Sequence, residues 1–163
     1  MTSDFLSDSE IQNLISEPKD FKCEFKAFLS KSKEKQGHKE NEFIIKRPDG
    51  SKFKIMIRQS KYNALDFSII LGFIKPNSNI LIRLKRYNGK SHEHQNQIEK
   101  TPRFYNFHIH EITERYQLAG QYKPEHYAEP TNRYSDISTA WTCFANDCNI
   151  RYQDLHNQQI FID

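Results

Sequence analysis

Phe43-Ile44-Ile45-Lys46-Arg47-Pro48-Asp49-Gly50-Ser51-Lys52-Phe53-Lys54-Ile55-Met56-Ile57-Arg58 decides the fold class. Two runs rich in aromatic and β-branched residues flank Pro-Asp-Gly. Proline presets the backbone for a turn, Asp bonds its own main chain, and Gly accepts a left-handed conformation. The stretch therefore predicts a β-hairpin. Outward from it, Phe67-Ser68-Ile69-Ile70-Leu71-Gly72-Phe73-Ile74 reads as a strongly apolar strand, stopped by Lys75-Pro76-Asn77-Ser78-Asn79. Ile80 to Tyr87 reads as the next strand and ends at Asn88-Gly89. A fifth run, Phe104-Tyr105-Asn106-Phe107-His108-Ile109-His110-Glu111-Ile112, completes the set. Most connections are short, so neighbouring strands are expected to pair antiparallel.

Ser7-Asp8-Ser9-Glu10 has the form of a capping box, with Leu6 placed to staple onto Ile11 and Pro18 ending the helix. Residues 19–41 are ambiguous. Phe21, Phe25, Phe28 and Leu29 have helical spacing, but a Lys-rich stretch follows. A loop from Ala119 to Arg133 leads to a last helix, capped by Ser135 or Asp136, whose apolar face is Ile137, Ala140, Trp141, Phe144 and Cys148. The expected fold is α+β: an antiparallel four- to five-stranded meander sheet with an N-terminal and a C-terminal helix packed on one face. The expected organisation is one domain over 1–163, with the first helix in 1–18, the sheet in 42–113, the loop and last helix in 119–150, and a tail at 151–163.

The hydrophobic fraction, 36%, is low, but twelve Phe and eight Tyr supply bulk for a core. No run approaches the roughly 20 apolar residues of a membrane span, and the N-terminus lacks the pattern of a secretory signal. Three cysteines without regular spacing argue against a disulfide framework, so a reducing, cytoplasmic setting is expected. Net charge is only +3 but uneven: residues 21–90 carry seventeen Lys/Arg against six acids. A basic segment of this kind attracts polyanions by counterion release, which makes RNA the first partner to consider.

Period-2 alternation sorts the strands into faces. Tyr105, Phe107 and Ile109 are expected to face the helices, and His108 and His110 the opposite, more exposed side. Ile82 and Leu84 are expected inward, which sends Arg83, Lys85 and Tyr87 outward. By the same alternation, Arg58 joins them. A second His-x-His, His92 and His94, sits just after the strand bearing Arg83 and Lys85. Five of the seven histidines fall between His92 and His126. Imidazoles flanked by cations suit metal-independent phosphodiester cleavage, one acting as base and another as acid while the cations stabilise the phosphorane. Four imidazoles also suit zinc or a redox metal.

The runs Gly50 to Lys54, Ile57 to Lys61, Leu65 to Ser68, Arg86 to His94, Phe107 to Gln117 and Tyr127 to Tyr134 resemble, in this order, an uncharacterised bacterial and phage family of unknown function. More loosely, the Arg86-Tyr87 to His110 portion resembles TumE-type toxins of toxin–antitoxin pairs, small proteins proposed to act as ribonucleases. That resemblance implies a cognate antitoxin as partner and places His92, His94, His108 and His110 at the family's histidines. The leading expectation is therefore a cofactor-free ribonuclease. His108 and His110 are acid and base, His92, His94 and Tyr116 shape the site, and Arg58, Arg83, Lys85 and Arg115 hold phosphate. No metal ligand is assigned in that reading. The alternatives are a non-catalytic module binding nucleic acid or protein, and a histidine-cluster metal-binding protein.

Overall fold

The computed structural model describes residues 4–152. The first helix, α1 (Asp8–Ser16), opens on the expected capping box: Glu10 N donates to Ser7 Oγ (3.1 Å) and Ser7 N donates to Glu10 Oε1 (3.2 Å). It stops before Pro18, as expected for a residue that cannot donate to the helix ladder. Next come β1 (Lys19–Phe21), α2 (Phe25–Ser30), β2 (Lys33–Lys35), β3 (His38–Lys46), β4 (Lys52–Ser60), β5 (Phe67–Ile74), β6 (Ile82–Asn88) and β7 (His108–Glu111). The chain continues through α3 (Glu114–Ala119), β8 (Ala128–Pro130), α4 (Ile137–Asp147) and β9 (Ile150–Tyr152). The tail expected at 151–163 lies outside the described residues from 153 onward.

Strands β2 to β8 form one antiparallel sheet in chain order, a meander. Its seven strands exceed the expected four to five because two short edge strands carry no apolar signal. Strand β2 is Lys-Glu-Lys. It pairs with β3 through a two-residue turn at Gln36 and Gly37, both at positive φ (34° and 90°), the form that matches the twist of a hairpin. Strand β8 emerges from within the expected 119–133 loop. A separate parallel pair joins β1 to β9, residues too few and too distant in sequence to be read from pattern.

One sheet face carries Phe53, Ile55, Ile57, Ile69, Leu71 and Phe73. It packs against Ile11 and Ile15 of α1 and Ile137, Trp141 and Phe144 of α4. Both helices thus lie on one face, as expected. Two ties lock them. Arg47, in the hairpin turn, donates Nε and Nη2 to the Glu17 carboxylate (2.8 and 2.6 Å) while stacking over Phe53. The Lys19 ammonium is fully buried and donates to the carbonyls of Leu14, Ile15, Glu17 and Cys148 at 2.7–2.9 Å. Cys23, Cys143 and Cys148 are unbridged.

Strand β6 corrects the expected faces. Leu71 pairs with Lys85 but Gly72 pairs with Arg83, so Leu84 is an extra residue, a β-bulge. Beyond it the alternation is inverted. Lys85 and Tyr87 stand on the helix side, in register with Leu71 and Ile69 and with Glu111 and Ile109. Arg86 and Asn88 stand on the outer side, opposite His110 and His108.

Candidate functional site: a buried histidine cluster

Strand β7 is short, but its alternation is as expected. Ile109 packs on the core side and His108 and His110 project from the other. The expected exposure does not hold: His108 is 0% and His110 3% exposed. Tyr105, expected inside, is 60% exposed, because the strand begins only at His108 and Tyr105 belongs to the preceding loop.

That loop supplies the cover. It leaves β6 at Gly89, where a Cβ would lie 1.8 Å from the Leu65 carbonyl oxygen; only glycine allows so close an approach. The loop folds back over the outer face and closes with an antiparallel bridge between His94 and Phe104, both N–O distances being 2.9 Å. The His94 ring centre then lies 5.5 Å from that of His108, stacked at 16°, and 4.9 Å from that of His110. His92, exposed, meets His108 edge-on at 5.3 Å, and His126 lies 4.8 Å from His94. One ring nitrogen from each of His94, His108 and His110 lies within 4.8 Å of the others.

The hydrogen bonds fix the tautomers, because a carbonyl oxygen only accepts. His108 donates Nδ1–H to Asn106 O (2.9 Å), which leaves Nε2 as a lone pair, 3.3 Å from the Asn88 amide nitrogen. His110 donates Nδ1–H to Glu125 O (3.0 Å) and His126 O (3.2 Å), and its buried Nε2 has no partner. His126 donates Nε2–H to Gln95 O (3.0 Å). The His94 case turns on Asn96, whose Nδ2 donates to Ala128 O (2.7 Å) and whose Oδ1 accepts from Ala128 N (2.9 Å). Oriented in this way, Oδ1 also accepts Nε2–H of His94 (3.0 Å), leaving Nδ1 as the lone pair. Burial holds the His94 pKa below the ordinary range and pushes that of His108 down to about 4 and that of His110 to about 2. All three rings are therefore neutral at neutral pH.

The expected phosphate-binding cations do not converge on this cluster. Lys85 is on the opposite face, 3.2 Å from the Tyr87 hydroxyl and 3.6 Å from Glu111. Arg58 pairs with Asp66 (3.2 Å), Arg115 with Glu99 (2.5 Å), and Arg83 is exposed near the far end of β6. Tyr116 is buried one ring further out. It donates to Glu99 Oε1 (2.6 Å), and its ring centre is 5.5 Å from that of His126. The groups nearest the histidines include Arg86, Asn88, Asn96, Glu125 and His126. Of these, only His126 carries a sequence signal, as the last of the five bunched histidines.

A family model described as a family of unknown function (DUF6978) matches residues 6–150. The chain belongs to DUF6978. Nothing among curated proteins or solved structures matches it. The match to the DUF6978 model takes in every element from α1 to α4 and all five clustered histidines. Among the described residues, no helix is long and apolar enough to cross a membrane.

Proposed function

We propose that this DUF6978 protein binds a divalent transition metal of the zinc class through His94, His108 and His110. Two observations carry this reading together: His94, His108 and His110 each bring one ring nitrogen within 4.8 Å of the others, and the buried Nε2 of His110 lacks any hydrogen-bond partner. A buried acceptor without a donor is costly, and a metal ion relieves that cost. Supporting it, each of the three rings gives its N–H to a fixed oxygen and keeps its other nitrogen unprotonated, the arrangement typical of metal-ligating histidines; that of His108 now accepts from the Asn88 amide and would exchange this bond for the metal. Neutral rings need shed no proton to bind. Tetrahedral zinc with Zn–N near 2.0–2.1 Å sets ligand nitrogens about 3.3 Å apart, so the nitrogens need close by no more than about 1.5 Å. Three imidazoles leave a fourth position for water or an added ligand.

Cofactor-free acid–base cleavage by His108 and His110 is the weaker reading. Both are buried beneath the 89–107 loop, and rings held neutral by burial are poor general acids at neutral pH. RNA binding stands as a second reading on one specific observation: strand register gathers Lys46, Lys52, Lys54 and Arg83 on the outer face of β3 to β6, with Lys54 paired to Glu42 (2.9 Å).

The test is to strip the protein with chelator and titrate it with Zn²⁺ or Co²⁺. One equivalent should bind, and bound Co²⁺ should show the intense visible bands of tetrahedral coordination. His94→Ala, His108→Ala and His110→Ala should each abolish this. Folded wild-type protein that retains no metal at micromolar Zn²⁺ contradicts the proposal.

A further inference from the structure

A second buried atom faces the same problem as His110 Nε2, with opposite polarity. Arg86 Nε, a donor, is buried and has no partner. Arg86 and His110 are directly opposed across β6 and β7, which places their Cα atoms about 4.5–5.5 Å apart with both side chains on the outer face. Arg86 sits close enough to act electrostatically on all three histidines, yet among the described residues it forms no ion pair. The nearest negative influence is the buried Glu125.

Charge makes the next step. Three neutral imidazoles leave a bound dication at +2, Arg86 adds one positive charge, and Glu125 removes one. A net charge near +2 in a water-poor site is unfavourable unless an anion joins it. Resting on the metal reading above, we propose that the fourth metal position takes an oxygen of a small oxyanion whose second oxygen accepts the Arg86 Nε–H. Guanidinium is suited to this because its planar fork matches the paired oxygens of phosphate or carboxylate. The exposed His92, edge-on to His108, marks the side from which such an ion reaches the cluster. The ligand class is thus an oxyanion, free or as the head of a larger molecule.

The experiment uses the full chain loaded with Co²⁺ and inorganic phosphate as the probe. Phosphate should shift the visible bands saturably in wild type. In Arg86→Gln, Co²⁺ should still bind with tetrahedral bands, but half-saturation should need about tenfold more phosphate or greater, the worth of a charge-assisted bond. Arg86→Lys should fall between, and serves if the Gln variant does not fold. Bands indifferent to millimolar phosphate in wild type, or a Gln variant that responds like wild type, overturn the inference while leaving the metal site intact. They would assign the orphan Arg86 Nε to a bound water. Failure of wild type to bind Co²⁺ is a separate result, and it removes both readings.

Discussion

Asn96 is paired to Ala128 by both ends of its amide, Nδ2 to O at 2.7 Å and Oδ1 from N at 2.9 Å. A side chain here does what a neighbouring strand would do for the edge of β8, and in doing so it fixes which nitrogen of His94 stays bare. Asn96→Asp keeps the size but replaces the donor toward Ala128 O with a second acceptor. The expected outcome is a loss of about 1–3 kcal/mol in stability, from a buried carbonyl left unpaired. Zn²⁺ affinity should also fall about 10–100-fold, the usual cost of disturbing a ligand's hydrogen-bond partner. Chelator competition on the refolded variant measures it; unchanged affinity would mean that Asn96 does not position His94.

In metal-free protein the histidines should make stability depend on pH. Burial, aided by neighbouring charges, holds His108 to about 4 and His110 to about 2, against an ordinary 6.5. Below 6.5 the unfolded chain therefore binds protons that the folded protein refuses. The stabilisation is whole above 6.5 and declines as pH falls, by about 1.4 kcal/mol per pH unit for each ring. The His108 share is lost by pH 4, and the His110 share continues to decline below that. Urea unfolding at pH 7.5 and 5.0 in the presence of chelator should show a clear drop in midpoint, smaller in His108→Gln. A midpoint flat across this range would show that the rings are not buried as neutral species.

The Lys19 clasp should be among the more sensitive positions for folding. Its ammonium satisfies three carbonyls at the end of α1 and one at the end of α4, so the first and last helices share one donor. Burial lowers its pKa to about 8, and the four carbonyls favour the proton, so it is charged at neutral pH. Lys19→Met keeps the length and removes every donor. A loss of about 2–4 kcal/mol is expected, since buried carbonyls are left bare. An unfolding free energy in urea within about 0.5 kcal/mol of wild type would show that water replaces the ammonium easily.

Much of this architecture is legible in the chain. The Pro48-Asp49-Gly50 turn, the Ser7–Glu10 box and the Asp136 cap announce their elements because each rests on local chemistry. The alternation in Phe107-His108-Ile109-His110 also sorted that strand correctly: the aliphatic side reached the helices. What escaped depends on distant residues. Leu84 looks like one more inward position, and only its partners on β5 make it a bulge, so Lys85 was exchanged for Arg86 at the cluster. Burial of His108 and His110 was hidden for a similar reason. The loop that covers them is polar, and its cover is set by Gly89 against Leu65 and by Asn96 against Ala128, neither of which has a hydrophobic pattern.

The metal reading makes a stability prediction that a merely structural cluster does not. A ligand that binds only the folded state stabilises it by about 2.7 kcal/mol when present at one hundred times its dissociation constant. For a chain of this size that corresponds to a rise of roughly 5–10 °C in melting temperature. Wild-type protein should gain this from Zn²⁺ and lose it again with chelator, while Mg²⁺, which prefers oxygen ligands, should have no effect. His110→Leu removes the orphan Nε2, a gain, but also the Nδ1–H that serves Glu125 O and His126 O, a loss, so the metal-free variant should melt close to the metal-free wild type. Zn²⁺ should then add nothing. If His110→Leu melts well below metal-free wild type, the Nδ1–H bonds to Glu125 O and His126 O outweigh the cost of the orphan Nε2, and His110 is held for the fold. If zinc raises the variant as much as wild type, the ion sits elsewhere. The combination expected here, a variant indifferent to zinc yet close to wild type in stability without it, identifies His110 as a residue held in place for a ligand rather than for packing.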